Sequence, residues 1–302
     1  MRRALLYPSR LRKLPANPAP KVMSPEGQAI LEEWSAPVGV DIFLAVAVLV
    51  YFRGWMLLRR SAPAVLSGVR LVSYLSGICA LWIAIGSPLA AFDEVSLTVH
   101  MIQHLLLMLI VPPLLLLGTP ALPYLHGLPQ IFVRNIFGPF FRLPWVQRIG
   151  GFLTHPAFCW LLASVTMIVW HIPSAFELAL HSETWHEIEH FCFLSTSILF
   201  WWPVVQPFPS QAHWSRWTVP IYLLLAMFPG GALGAFLTFY DSVIYSSYTS
   251  EPPIFGISPL TDQVLAGVLM WVSGIFIFVV PAVLITFRLL APASSAARLA
   301  RP

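Results

Sequence analysis

The chain has 302 residues, 58% of them hydrophobic and only 10% charged, with a mean hydropathy of +0.77. This is too little polar surface to cover a soluble globule, so the composition places the protein in a membrane. The net charge of +4 is divided among short connections rather than gathered in one stripe, which argues against a nucleic-acid partner.

Residues 1–37 read as an N-terminal extension, basic and then acidic. The basic stretch Met1 to Lys21 leads into SPEGQAILEEW and not into the apolar core of a cleavable signal. A translation start at Met23 would remove most of the basic charge. Seven apolar runs follow, at about 38–58, 69–91, 96–117, 157–178, 186–204, 217–240 and 262–288. Each is close to the ~20 residues that a helix needs to cross ~30 Å of hydrocarbon. The runs are continuous rather than alternating, so the expected fold is all-α: an integral membrane bundle of seven transmembrane helices, one domain over 38–290, with a short tail at 291–302. Cys79, Cys159 and Cys192 lie singly in different runs and read as small core hydrophobes.

Charge sorting gives the topology. Arg53, Arg59, Arg60, Arg70, Arg134, Arg142, Arg148 and Arg216 fall around the connections after the first, third and fifth runs, with Arg288, Arg298 and Arg301 after the seventh. Asp93, Glu94, Glu177, Glu183, Glu187, Glu189, Asp241, Glu251 and Asp262 fall at the alternate connections. The positive-inside rule then predicts a cytoplasmic C-terminus and an N-terminus outside, against the preference of the basic stretch 1–21.

With that topology, six of the nine histidines converge on the outer side of the membrane. His100 and His104 share one helix face, as do His186 and His190; His171 ends the fourth run just before Pro173, and His181 lies in the next connection. An imidazole in hydrocarbon must find partners. Two at i, i+4 can reach one metal ion, and two such helices can supply four nitrogens. Met108 continues the His100, His104 stripe and suits Cu(I), while Asp262 opens the seventh run from the same side. Glu187 and Glu189 are placed to orient the rings as acceptors. Plainer readings stand beside these. Each histidine can cap or bond a neighbouring helix, Met101 and Met108 can be core packing, and Asp262 can be a helix N-cap. A bis-histidine haem is the rival to copper.

Other features read as structural. His155 with Pro156 marks a helix start, His126 and His213 are loop residues, and Pro112 and Pro113 bend the third run. The glycines of FPGGALGAF permit close helix approach, and Trp201 and Trp202 read as interfacial anchors. There is no nucleophile–base pair and no phosphate loop, so the chain does not read as an enzyme.

Four strings, MIQHLLLMLIVPPLLLLGTP (101–120), WHIPSAFELAL (170–180), HEIEHFCFLSTSILFWWPV (186–204) and SPLTDQVLAGVLMWVSG (258–274), together resemble the CtaG family of cytochrome c oxidase assembly factors associated with caa(3) oxidases. The resemblance covers roughly residues 38–290. Departures are the basic extension and Ser273, where the pattern has proline. It implies a multi-pass protein of the bacterial cytoplasmic membrane that binds copper transiently and aids its delivery to the copper-B centre of an oxidase subunit, with a periplasmic copper donor as a further expected partner. It also implies His100, His104, His171, His186, His190 and Asp262 as the positions of interest. A copper or proton transporter would need polar groups through the inner half of the bundle, where there is little beyond Ser164, Thr166 and Ser197.

Overall fold

The computed structural model describes residues 34, 37–61, 63, 66–207, 214–250 and 256–291, and every regular element among them is helical. The basic extension, Met23, His213, Glu251, Arg298 and Arg301 lie outside the described residues. Helix α1 spans Val38–Leu58, α2 Gly68–Gly86 and the short α3 Leu89–Phe92. Helix α4, Leu97–Leu105, runs through a widened π-helical turn, Leu106–Ile110, into α5, Val111–Leu117. Helix α6 is Ala121–Gly127. After it come α7, Gln130–Phe132, a second π-helical turn at Val133–Phe137, α8, Gly138–Arg142, and α9, Pro144–Leu153. Helices α10, Pro156–Trp170, and α11, Pro173–Leu180, precede α12, Glu183–Val205. The chain closes with α13, Thr218–Phe239, the short α14, Ser247–Ser250, and α15, Pro259–Leu290.

Among the described residues, six helical segments are long and apolar enough to cross a membrane: α1, α2, the α4–α5 rod, α12, α13 and α15. A seventh is reached only if α9 and α10, which meet at 63°, count as one. The predicted fourth run, 157–178, is therefore corrected. Helix α10 has 15 residues, or about 22 Å at 1.5 Å per residue, short of a full crossing. It stops because Pro173 has no N–H to donate and forces Ile172 into extended backbone (φ −64°, ψ 128°), after which Pro173 starts α11 at its first position.

Pro112 in the third run also lacks an N–H, but Val111 before it stays helical (φ −60°, ψ −52°) and the rod continues. Pro112 cannot donate to the carbonyl of Met108, and the indole Nε1 of Trp201 donates to that oxygen instead, at 3.0 Å. Trp201 is thus buried between helices and is not an interfacial anchor. Gly234 and Gly267 let α13 and α15 meet backbone to backbone: a Cβ on Gly234 would stand 2.7 Å from Gly267 O, and one on Gly267 2.6 Å from Gly234 O. Gly54 and Gly127 do the same for α1 and α6, against the backbone of Pro123 and Val50. Cys159 is buried as expected, whereas Cys79 is exposed on the outside of the bundle.

The histidine-bearing end is held by side chains that reach across elements. Gln263 accepts from Ile244 N at 2.7 Å and donates to Ser242 O at 3.0 Å, fixing the connection between α13 and α15. From that connection Tyr245 donates to His171 O at 3.0 Å and Tyr248 to Asp93 O at 2.8 Å. Leu97, Met101, Phe176, Leu237 and Met270 pack beneath as one apolar cluster, so Met101 is core.

Candidate metal centre

The HxxxH spacing of α4 puts His100 and His104 on one face with ring centroids 4.2 Å apart. The same spacing on α12 does so for His186 and His190, also 4.2 Å apart. The two faces are opposed: His100 lies 5.4 Å from His186, and His104 5.4 Å from His190. His171, where α10 ends, completes the ring at 6.5 Å from His104. Phe176 packs against His100 at 4.9 Å and Phe193 against His104 at 4.6 Å, so apolar walls hold the imidazoles in place.

Two carboxylates enter the same space. Glu189, fully buried, shares the α12 face with the histidines that flank it in HEIEH and stands with Oε2 3.8 Å from His104 Nε2. Asp93, buried in the connection between α3 and α4, has Oδ2 3.6 Å from His186 Nε2. Burial, and next the charge of Glu94, pushes the Asp93 carboxyl up to about 7. One ligand atom each from His100, His104, His186 and Glu189 lies within 4.8 Å of the other three. Four ligands at ~2.1 Å in a tetrahedron stand about 3.4 Å apart, so small side-chain movements would close this set on one ion.

The hydrogen-bond inventory is unusual. Seven imidazole nitrogens, from His100, His104, His171, His186 and His190, and all four oxygens of Asp93 and Glu189 are buried without a hydrogen-bond partner. Each such atom costs about 1–3 kcal/mol when left unmade, and a protein interior rarely tolerates more than a few. They are gathered here around one point. His171 shows how one ring is prepared. Its Nδ1 lies 2.7 Å from Met167 O, and since a carbonyl only accepts, Nδ1 carries the proton and Nε2 keeps its lone pair for a ligand.

Three sequence expectations are placed elsewhere. Asp262 accepts three hydrogen bonds at the start of α4, from Ser96 Oγ (3.1 Å), Leu97 N (2.7 Å) and Thr98 N (3.1 Å), so it caps a helix other than its own and is not one of the four residues whose ligand atoms gather. Met108 has turned off the histidine stripe, because the π-helical turn shifts the register after Leu105, and it lines a separate cavity. His181 is exposed and pairs with Glu177 (3.5 Å) and Ser247 (3.0 Å), so five of the six expected outer histidines form the cluster. Sequence reasoning gave Glu189 only an orienting part and missed Asp93. Glu189 was detectable from its place on the histidine face; Asp93 sits in a connection, and only the fold brings it to His186. Glu187, the other expected acceptor, is exposed.

The model of the cytochrome c oxidase caa3 assembly factor family matches residues 49–291. Similar curated proteins include an uncharacterized protein of Mycobacterium bovis and one of Mycobacterium tuberculosis, each 28% identical over 248 residues, 80% of this chain and 37% of the relative. A third, from Mycobacterium leprae, is 26% identical over 225 residues, 73% of this chain and 34% of the relative. The chain therefore spans little more than a third of the length of these relatives. No solved structure matches it. The match over 49–291 covers the helical domain from within α1 onward, including all five clustered histidines, and the chain belongs to the caa3 cytochrome c oxidase assembly factor family.

Proposed function

We propose that the protein binds copper transiently at this cluster and aids its delivery to the copper-B centre of the oxidase that it helps assemble. The observation that carries the reading is the convergence of unpartnered imidazole nitrogens and carboxylate oxygens on one buried point. Imidazole with carboxylate is a donor set suited to copper, and the carboxylates offset the charge of the ion where solvent does not reach. The ligand set is His100, His104, His186 and Glu189, with His171 and His190 adjoining and Asp93 turned toward His186. In this reading the charge distribution sets the N-terminus outside and the C-terminus in the cytoplasm, so the site opens outward from the bacterial cytoplasmic membrane. A periplasmic donor would load it, and the oxidase subunit carrying copper-B would unload it. The protein's part is binding and transfer, with no bond-making chemistry. Bis-histidine haem is less favoured, because the five rings pack on one another and leave no slab for a macrocycle between them. A copper transporter would need the ion to cross the whole bundle.

Cells lacking this protein, complemented with the wild type or with a variant carrying His100→Ala, His104→Ala, His186→Ala and His190→Ala, provide the test. The ratio of copper to haem in the purified oxidase should fall in the variant cells while the variant still accumulates in the membrane. Oxidase with full copper from those cells contradicts the proposal.

A further inference from the structure

Beyond the histidines, toward the middle of the bundle, lies a cavity of about 80 Å³ whose lining includes Met108, Met167, Met227 and Met270, with Ser164 and Ser197. Half of the protein's eight methionines therefore border one space, although they come from four different helical segments. Two of them lie on helical segments that also carry clustered histidines. Met108 follows His104 by four residues, and Met167 precedes His171 by four and accepts its Nδ1 proton through the backbone. At 1.5 Å per residue the cavity begins roughly 6 Å along each helix from the nearest histidine. Pro229 and Gly230 leave the opposite wall without bulk: a Cβ on Gly230 would approach Met167 Sδ at 3.7 Å, so this thioether borders the space that the glycine leaves open.

We propose that this cavity is a second copper site, selective for Cu(I) and built from thioethers, in series with the histidine–carboxylate cluster. Thioether sulfur is a soft, neutral donor that prefers Cu(I) over zinc or Cu(II). The absence of a carboxylate from the lining limits the site to a monovalent ion held weakly, since buried charge without a counter-ion is costly. A weak soft site one turn from a stronger one is a waiting position for an ion on its way to or from the cluster. That role rests on the copper reading above; the binding itself does not.

The test is anaerobic titration of the full chain in detergent with Cu(I), followed by copper X-ray absorption, using wild-type protein labelled with selenomethionine and a Met108→Leu, Met167→Leu, Met227→Leu, Met270→Leu variant. Leucine conserves volume, and the selenium label needs no substitution at all. The expected result is copper–selenium scattering in the wild type, with loss of one ion equivalent and of that scattering in the leucine variant. No selenium scattering at saturation, or scattering that survives the four substitutions, overturns the proposal. The four-histidine variant separates the two readings. Selenium-bound copper retained there alone supports both, while nitrogen-bound copper retained there removes the histidine site and leaves the methionine result standing.

Discussion

Glu189 supplies the one negative charge among the proposed ligands His100, His104 and His186. Replacing it with glutamine keeps the shape and removes that charge. Glu189→Gln should lower copper affinity by about 10–100-fold, the range found when a supporting carboxylate is lost from a metal site, as read by competition with a Cu(I) chelator. An unchanged affinity would take Glu189 out of the ligand set. Asp262 calls for the opposite pattern. Asp262→Ala leaves Leu97 N, Thr98 N and Ser96 Oγ without their acceptor and should cost about 1–3 kcal/mol, seen as a lower Tm in detergent, with copper per folded chain unchanged. Much of this was legible in the sequence, because HxxxH at 100–104 and HxxEH at 186–190 fix a face by helical period alone. The exchange of Asp262 for Asp93 was not. Both are acids at the mouths of apolar runs, and which one meets a histidine depends on how α15 and α3 dock against α4.

The elements were legible wherever one rule acted alone, and were misread where two acted together. Continuous apolar runs give α1, α2, α12, α13 and α15 within a few residues of their observed bounds. The fourth run looked long enough to span because its composition stays apolar past His171, but the two constraints of Pro173, on its own N–H and on Ile172, end α10 at Trp170. The pair Trp201, Trp202 near a helix end suggested an interfacial belt. The carbonyl that Trp201 satisfies belongs to another helix and is free only because of Pro112, a coupling with no local signature. Trp201→Phe keeps the ring and removes the donor. It should cost about 1–3 kcal/mol, measured as a fall in Tm. The α13–α15 seam allows less. Gly234→Val would drive a side chain into Gly267 O and the backbone of Trp271, so the yield of monodisperse protein in detergent should collapse, whereas Gly39→Val on α1, which meets nothing within 4 Å, should leave it unchanged.

On the scale of the whole molecule, the site is an assembly of segments that cannot form it separately. Helix α4 and α12 bring two histidines each, the break after α10 brings His171, and the connection before α4 brings Asp93. The connection between α13 and α15, pinned by Gln263, closes over them through Tyr245 and Tyr248. Composition alone made the membrane setting and the all-helical class legible, and four strings in order made the family legible. The number of crossings was not, because it turns on a 63° bend between two short helices that hydropathy does not register. Metal and haem content of one purified, detergent-solubilised sample, by elemental analysis and an absorbance spectrum, beside the four-histidine variant, tests the central claim most directly. Copper that is lost from the variant, with no Soret band in either sample, is the predicted result. A copper content in the variant equal to that of the wild type, or haem in place of copper in the wild type, would contradict the account.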